Sequence, residues 1–262
     1  MAGVTMTIPW QTRVHIWFRL LLLQTSWSYQ RLQGLGFFFA LLPGLKKLYP
    51  EDQIPAISRR YTGYFNTHPY LAPMVAGAVL KLEEENARSG DSQTIDIAEF
   101  KEMVAAPYAA IGDALFWGGL RPLAAGVALF FAVKGIVWAP LIFLVFYNLV
   151  PLWFRIVFFQ RGYRQGLQSV EFIQNHNLAD WAIHLKEAAV VVLGGFCAFL
   201  VFTHLDPHEP PGWLGLLVLL PMILLGLGAR KGLSTLLLVF LTCLTIVMVG
   251  MFWADLALVL GF

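Results

Sequence analysis

The sequence predicts an all-α integral membrane protein with about four to five transmembrane helices, re-entrant or broken helices, and an N-terminal amphipathic helical region. The composition is the first observation: 58% of the 262 residues are hydrophobic and only 13% are charged. A soluble domain has about 45–50% apolar and about 25% charged residues. The second observation is a set of four stretches, each of 18 to 23 residues, that contain no Asp, Glu, Lys or Arg.

Each of these stretches is long enough to cross a bilayer, which requires about 20 apolar residues in a helix. A soluble core rarely needs four such runs in succession. We therefore predict spans near residues 135–154, 188–205, 213–229 and 233–253.

Residues 103–133 are also apolar, but Gly118, Gly119 and Pro122 lie near their middle. Proline breaks an α-helix, and irregular backbone at membrane depth survives only where it is buried in protein or lines a cavity. This stretch therefore predicts a broken helix or a hairpin at a substrate path. With the four spans it forms a transmembrane region over residues 103–262.

Residues 1–102 carry ten of the 18 basic and nine of the 16 acidic residues. We predict an interfacial, cytoplasmic-side helical region with possible re-entrant segments. Apolar residues recur at helical spacing from Trp10 to Leu22, which is typical of an amphipathic helix. A second helix is predicted over 70–82, ending at the acidic run 83–85, and Asp96 fits the N-cap of a third.

Basic residues predict the orientation because they are enriched in cytoplasmic loops. Arg155, Arg161 and Arg164 follow the 135–154 stretch, whereas the loop at 205–213 contains no Lys or Arg. This pattern places the N-terminal region on the cytoplasmic side and the C-terminus outside.

Asn66, Thr67 and His68 form one polar cluster within apolar sequence. Together they offer hydrogen-bond donors and acceptors, which a sugar with several hydroxyls requires. The alternative is structural: a helix cap beside a histidine whose hydrogen bonds are satisfied.

Asp113, Trp117 and Arg121 form a second cluster. A carboxylate at membrane depth costs about 2.5 kcal/mol or more, so an intramembrane Asp is functional by default. Asp113 could bind hydroxyl pairs, and Trp117 could pack on the C–H face of a sugar. The alternative is a structural Asp113–Arg121 ion pair.

Several classes of chemistry are not indicated. The histidines and the two cysteines lack the spacing of metal ligands, and there is no phosphate-binding loop or nucleophile elbow. We predict no catalytic residue, cofactor or metal site on this chain. The net charge of +2 gives no reason to expect a nucleic-acid partner.

Four blocks of sequence, in order, resemble the IID subunit of mannose/fructose/sorbose-family sugar phosphotransferase systems. They extend over about residues 15–170, and the blocks are QTSWSYQR (24–31) with KKLYP (46–50), FNTHPY (65–70) with LEEE (82–85), IGD (111–113) with FWG (116–118), and GYRQG (162–166).

The resemblance implies a function. Such subunits assemble with a IIC subunit into a hetero-oligomeric translocator in the bacterial inner membrane, and IIA and IIB components carry phosphate from phosphoenolpyruvate on their own histidines. A hexose-type sugar is phosphorylated as it is delivered, which places Asn66, Thr67, His68 and Asp113 near its path. Residues 106–110 and 180–188 depart from the family pattern.

The sequence leaves two alternatives open. One is a non-transporting membrane sensor or regulator built on the same scaffold. The other is an intramembrane hydrolase using His68 and Asp113, which lacks a credible nucleophile.

Overall fold

The computed structural model describes residues 7–89, 96–204 and 219–252. Regular secondary structure in these residues is helical, apart from two isolated β-bridges, which confirms the all-α class. Contacts divide the chain into two compact units, Met1–Phe199 and Leu200–Phe262. All the predicted site residues lie in the first unit.

The N-terminal region begins with four helices: α1 (Trp10–Leu20), α2 (Gly34–Leu48), α3 (Ile54–Tyr61) and α4 (Ala72–Ser89). The predicted amphipathic helix is confirmed by α1. It buries Ile16 and Leu20, whereas Trp10 and Phe18 on its other side are each 57% exposed.

The acidic run lies inside α4, although the sequence predicted that the helix ends there. Glu83 is fully buried and accepts hydrogen bonds from the hydroxyls of Tyr49, at 2.5 Å, and Tyr61. Glu84 accepts from the Tyr163 hydroxyl and pairs with Arg88 at 2.5 Å. These partners compensate the desolvation of the carboxylates, so the helix can continue through them.

The first long apolar helix runs from Ile97 to Val133. It consists of α5 (Ile97–Gly112), a π-helical segment (Asp113–Leu120) and α6 (Arg121–Val133). Asp96 caps it, because its carboxylate accepts the Ala98 amide at 2.8 Å. The α-helical bonding is interrupted where the sequence predicted a break, but the two halves continue in one helix, so the hairpin alternative is wrong.

The π-helical segment explains why Pro122 does not end this helix. In an α-helix, the proline ring would clash with the carbonyl four residues earlier. Here the Arg121 amide bonds to the Phe116 carbonyl five residues earlier, and the wider turn gives the ring room.

Two further long apolar helices follow, over Ala139–Asn175 and Leu178–Leu200. The first comprises α7 (Ala139–Gln165), a 3₁₀ turn (Gly166–Gln168) and α8 (Ser169–Asn175), and the second is most of α9 (Leu178–His204). Among the described residues, these two and the helix Ile97–Val133 are long and apolar enough to cross a membrane.

The second unit contains α10 (Leu219–Arg230) and α11 (Thr235–Met251). They coincide with the spans predicted near 213–229 and 233–253, and their described portions are apolar but shorter. The loop predicted to face outside and the C-terminus lie outside the described residues. An apolar groove of about 560 Å³ lies between α10 and α11.

The core of the first unit is the crossing of α4 and α7, where the two backbones touch. A Cβ added at Gly162 would lie 2.1 Å from the Met74 carbonyl oxygen, and one at Gly77 would lie 2.4 Å from the Phe159 carbonyl oxygen. Only glycine permits this approach. The crossing holds the N-terminal region against the long apolar helices.

Candidate functional site

The loop that carries Asn66, Thr67 and His68 is held by one buried amide. Gln33 donates from Nε2 to the Thr67 carbonyl at 2.7 Å, and its Oε1 accepts the Thr67 amide at 3.1 Å. The Gln33 backbone amide also bonds to the Phe65 carbonyl at 2.9 Å. Gln33, at the end of the polar segment 24–34, thus positions the polar cluster of Asn66, Thr67 and His68.

Asn66 and Asp113 face a common cleft of about 580 Å³. Its volume lies within the range of about 300–1,000 Å³ that is usual for ligand pockets. Glu102 and Tyr64 add a second carboxylate and an aromatic ring, and small side chains of α5 form one wall: Ala105, Ala106, Ala109 and Ala110.

His68 lies on the neighbouring side of the helix and is 1% exposed. Its ring stacks on Phe116, with the centroids 5.1 Å apart, and meets the edge of Trp117 at 4.9 Å. Its Nδ1 atom accepts the Tyr70 amide at 3.3 Å. Burial, followed by the charges of Arg155 and Arg121, lowers the pKa of His68 from 6.5 to about 4. The ring is therefore neutral at physiological pH.

Two arginines lie beside this histidine and stack on aromatic rings. The Cζ atom of Arg121 is 5.5 Å from the Trp117 ring and 5.6 Å from the Tyr147 ring. Arg155 lies 4.7 Å from the Tyr70 ring, and the Tyr70 and Tyr147 hydroxyls are 3.3 Å apart. We call Arg121, Arg155, His68, Tyr70 and Tyr147 the arginine–tyrosine cluster.

The six predicted site residues therefore form two adjacent groups. Asn66 and Asp113 line the cleft, whereas His68, Trp117 and Arg121 lie together beside it. Thr67 is on the same loop, and its buried hydroxyl has no hydrogen-bond partner within residues 7–89, 96–204 and 219–252. Asp113 and Arg121 form no ion pair, so the structural alternative for that pair is wrong.

Sequence reasoning missed Glu102, Tyr147 and Arg155 as site residues. Glu102 resembled an ordinary surface acid near a helix start. Arg155 was counted as a loop cation because it directly follows a charge-free stretch. Its place at the end of an apolar run, rather than in a polar loop, was the signal that could have identified it.

The fold and the site define an all-α integral membrane protein with a polar cleft beside its long apolar helices. The chain belongs to a specific family, the mannose/fructose/sorbose family of IID components of the phosphotransferase system, whose pattern it matches over residues 7–207.

Individual relatives agree with this assignment. The chain is 36% identical over 159 residues to the mannose-specific EIID component of Escherichia coli K12, and 33% identical over 159 residues to the sorbose-specific EIID component of Klebsiella pneumoniae. Each match covers 60% of this chain, and 56% and 58% of the two relatives. The chain thus matches little more than half the length of these relatives.

A solved structure is similar over nearly the whole chain. It is the cryoEM structure of the mannose transporter ManYZ in complex with microcin E492, with 26% identity, a TM-score of 0.58, and coverage of 95% of this chain and 97% of that one. Together with the apolar helices, these similarities support a membrane protein of the bacterial inner membrane. They do not support the regulator alternative.

Proposed function

We infer that this chain is the IID membrane subunit of a mannose-type, phosphoenolpyruvate-dependent sugar phosphotransferase system. With a IIC subunit it forms the path of a hexose-type sugar across the inner membrane, and IIA and IIB components supply the phosphoryl group. Family membership supports this role, and the cleft lined by Asn66 and Asp113 is the observation that carries it.

The cleft has the chemistry that a sugar requires. The Asn66 amide provides donors and an acceptor, while the carboxylates of Asp113 and Glu102 accept hydrogen bonds from hydroxyl groups. Asp113 lies within a helix long and apolar enough to span the membrane, where an unpaired carboxylate is costly. Sugar hydroxyls would provide its hydrogen bonds.

The apolar face of the sugar requires an aromatic surface, and the cleft has one in Tyr64, which is 60% exposed. Trp117 was expected in this role from the sequence. Its packing against His68 and Arg121 instead favours a part in shaping the wall between the two groups.

The orientation follows from the basic residues. Arg155, Arg161 and Arg164 lie in the half of the Ala139–Asn175 helix that follows its charge-free stretch. With the positive-inside rule, this distribution supports the proposal that the N-terminal region is on the cytoplasmic side and the C-terminus outside. The remaining exposed apolar surface of the long helices is available to lipid and to IIC.

The test is phosphoenolpyruvate-dependent sugar phosphorylation in vesicles that contain the IIC partner and the cytoplasmic carriers, with and without this chain. We expect activity only when the chain is present. Activity that is unchanged by its omission, with IIC correctly inserted, would contradict the proposed function.

A further inference from the structure

The unsatisfied polar atoms of the arginine–tyrosine cluster include a buried histidine nitrogen. The Nδ1 atom of His68 accepts the Tyr70 amide, so the proton of the neutral ring is on Nε2. This N–H is buried and has no hydrogen-bond partner in the described part of the chain. A buried donor without an acceptor is costly, and the group that would satisfy it must be an acceptor.

One of the two guanidinium groups has the same requirement. The Nε atom of Arg155 is buried and also lacks a hydrogen-bond partner among the residues that the structure describes. Neither Arg155 nor Arg121 forms an ion pair with a carboxylate of the described residues; both stack on rings instead. A buried imidazole N–H, a buried guanidinium N–H and the exposed guanidinium of Arg121 thus lie around one pair of tyrosines.

The two arginines also lie at a similar depth along the long helices. Arg121 precedes the charge-free residues 122–133, and Arg155 follows the charge-free residues 135–154. At 1.5 Å per residue, both are about 20–25 Å along their helices from the turn that joins α6 to α7. That depth is close to one boundary of a hydrocarbon core about 30 Å thick, on the side that we propose is cytoplasmic.

We propose that Arg121, Arg155 and Nε2 of His68 bind a phosphoryl group. A phosphate monoester carries a charge of about −1.5 to −2 and three acceptor oxygens, which match two guanidinium charges and three donors. A single carboxylate would neutralise only one of the two charges. The site is adjacent to the sugar cleft but chemically distinct from it, because it presents two cationic groups where the cleft presents two carboxylates.

Two molecules could bring this phosphoryl group. One is a soluble phosphate ester, such as the phosphorylated sugar, and this source rests on the proposed function. The other is the headgroup of a phospholipid, which lies at the same depth and does not depend on sugar transport. Binding of phosphate itself is expected in either case.

The test uses the full chain purified with its IIC partner in dodecyl maltoside, which contains no phosphate. Binding of radiolabelled inorganic phosphate and of a hexose 6-phosphate is measured by equilibrium dialysis, with the free hexose for comparison. Native mass spectrometry with added phosphatidylglycerol tests the lipid source. Displacement of that lipid by inorganic phosphate would show that both occupy one site.

The variants Arg121→Gln and Arg155→Gln should each weaken phosphate binding about tenfold or more, because each removes a charge-assisted hydrogen bond. Arg155→Lys keeps the charge and should retain part of the affinity. The matched control is Arg161→Gln: Arg161 is on the same helix and stacks on Phe172 at 4.6 Å, outside the cluster. It should bind phosphate like the wild type.

Three results would overturn the inference. The first is that the intact complex binds no phosphate, phosphate ester or phospholipid, and the second is that the wild type and a variant carrying both Arg121→Gln and Arg155→Gln bind phosphate equally. The third is that this double variant no longer co-purifies with IIC while the wild type binds no phosphate. The last would assign the arginines to a carboxylate of IIC. Sugar phosphorylation, measured in the same preparation, distinguishes this proposal from the proposed function. If the complex phosphorylates sugar normally but binds no phosphate at the arginine–tyrosine cluster, only the phosphoryl-binding proposal is refuted. If the complex binds phosphate and IIC is inserted, but sugar phosphorylation does not depend on this chain, only the proposed function is refuted.

Discussion

The imidazole of His68 lies so close to Gly112 that a Cβ added at Gly112 would be 2.3 Å from both Cβ and Cγ of the histidine. Such an approach is possible only without a side chain on the helix. The contact joins the loop of the first polar cluster to the helix of the second, immediately before the π-helical segment. The glycine of the IGD block therefore sets the distance between the two groups of site residues.

Gly112→Ala should displace His68 and reduce sugar uptake at least about tenfold, because a misplacement of about 1 Å at a site can reduce activity by two orders of magnitude. Uptake in cells that contain the partner subunits measures this. Gly63→Ala is the control, since a Cβ there meets nothing within 4 Å. Normal uptake by Gly112→Ala would mean that the His68–Gly112 contact is dispensable.

Asp113→Asn should abolish sugar uptake while leaving membrane insertion and IIC association intact, because the amide replaces an acceptor-only group by one that also donates. His68→Ala should have the same effect through the neighbouring group. Radiolabelled sugar uptake and co-purification with IIC are the two measurements. If both variants transport normally, the assignment of these residues to the site is wrong.

Glu83→Ala should destabilise the protein by about 3–5 kcal/mol, because it leaves the buried hydroxyls of Tyr49 and Tyr61 without their acceptor. The expected decrease in Tm is about 10 °C, measured by tryptophan fluorescence in detergent. Glu85→Ala is the matched control on the same helix, because the Glu85 side chain is 45% exposed in its pair with Lys81. It should cost less than about 1 kcal/mol. Equal decreases in the two variants would contradict the role of Glu83.

Acid should destabilise the protein through His68. Its pKa is lowered from 6.5 to about 4 by burial and the nearby arginines, so the fold favours the neutral ring. This contribution is fully present above pH 6.5 and is lost as the pH falls towards 4, by about 3 kcal/mol over that range. Measuring Tm between pH 7 and pH 4 tests this contribution. His68→Asn should make Tm depend less on pH, whereas a substitution of the exposed His184 should leave the pH dependence of Tm unchanged. An unchanged slope in His68→Asn would refute the assignment.

Gly162→Ala should prevent close contact between α4 and α7, because the new Cβ would lie 2.1 Å from the Met74 carbonyl oxygen. Overpacking of this kind costs about 1–3 kcal/mol or more. The yield of monodisperse protein in detergent should decrease sharply. Gly194→Ala, at a position with nothing within 4 Å, should leave the yield unchanged. A stable Gly162→Ala variant would show that the helices can separate at little cost.

Much of the architecture could be predicted because it depends on local patterns. Charge-free stretches predict helices in lipid, and the Asp96 cap fixes the start of α5 through a side chain two residues from its partner. The π-helical segment was predicted only as a break, since Pro122 shows that α-helical bonding is interrupted but not which register replaces it.

What could not be predicted depends on contacts distant in sequence. The acidic run was expected to end its helix as a solvated helix end, although acids near a helix C-terminus oppose the helix dipole and can instead indicate partners elsewhere. Their partners come from other helices, as with Tyr61 for Glu83 and Tyr163 for Glu84. Arg155 was missed for the same reason: only the fold brings it to Tyr70, 85 positions earlier in the sequence.

The π-helical segment also has a genetic consequence. Successive residues of an α-helix are rotated by about 100°, and a π-helical turn accommodates an additional residue without disturbing the helix on either side. Deleting one codon between Asp113 and Leu120 would therefore remove the wider turn and return the segment to α-helical bonding, with α6 keeping nearly the same face towards its neighbours. The shortened helix would be just as apolar, and a membrane would accept it equally well. The ring of Pro122 would nevertheless meet the carbonyl four residues earlier, so the number of residues in this segment is constrained by the proline and not by the bilayer.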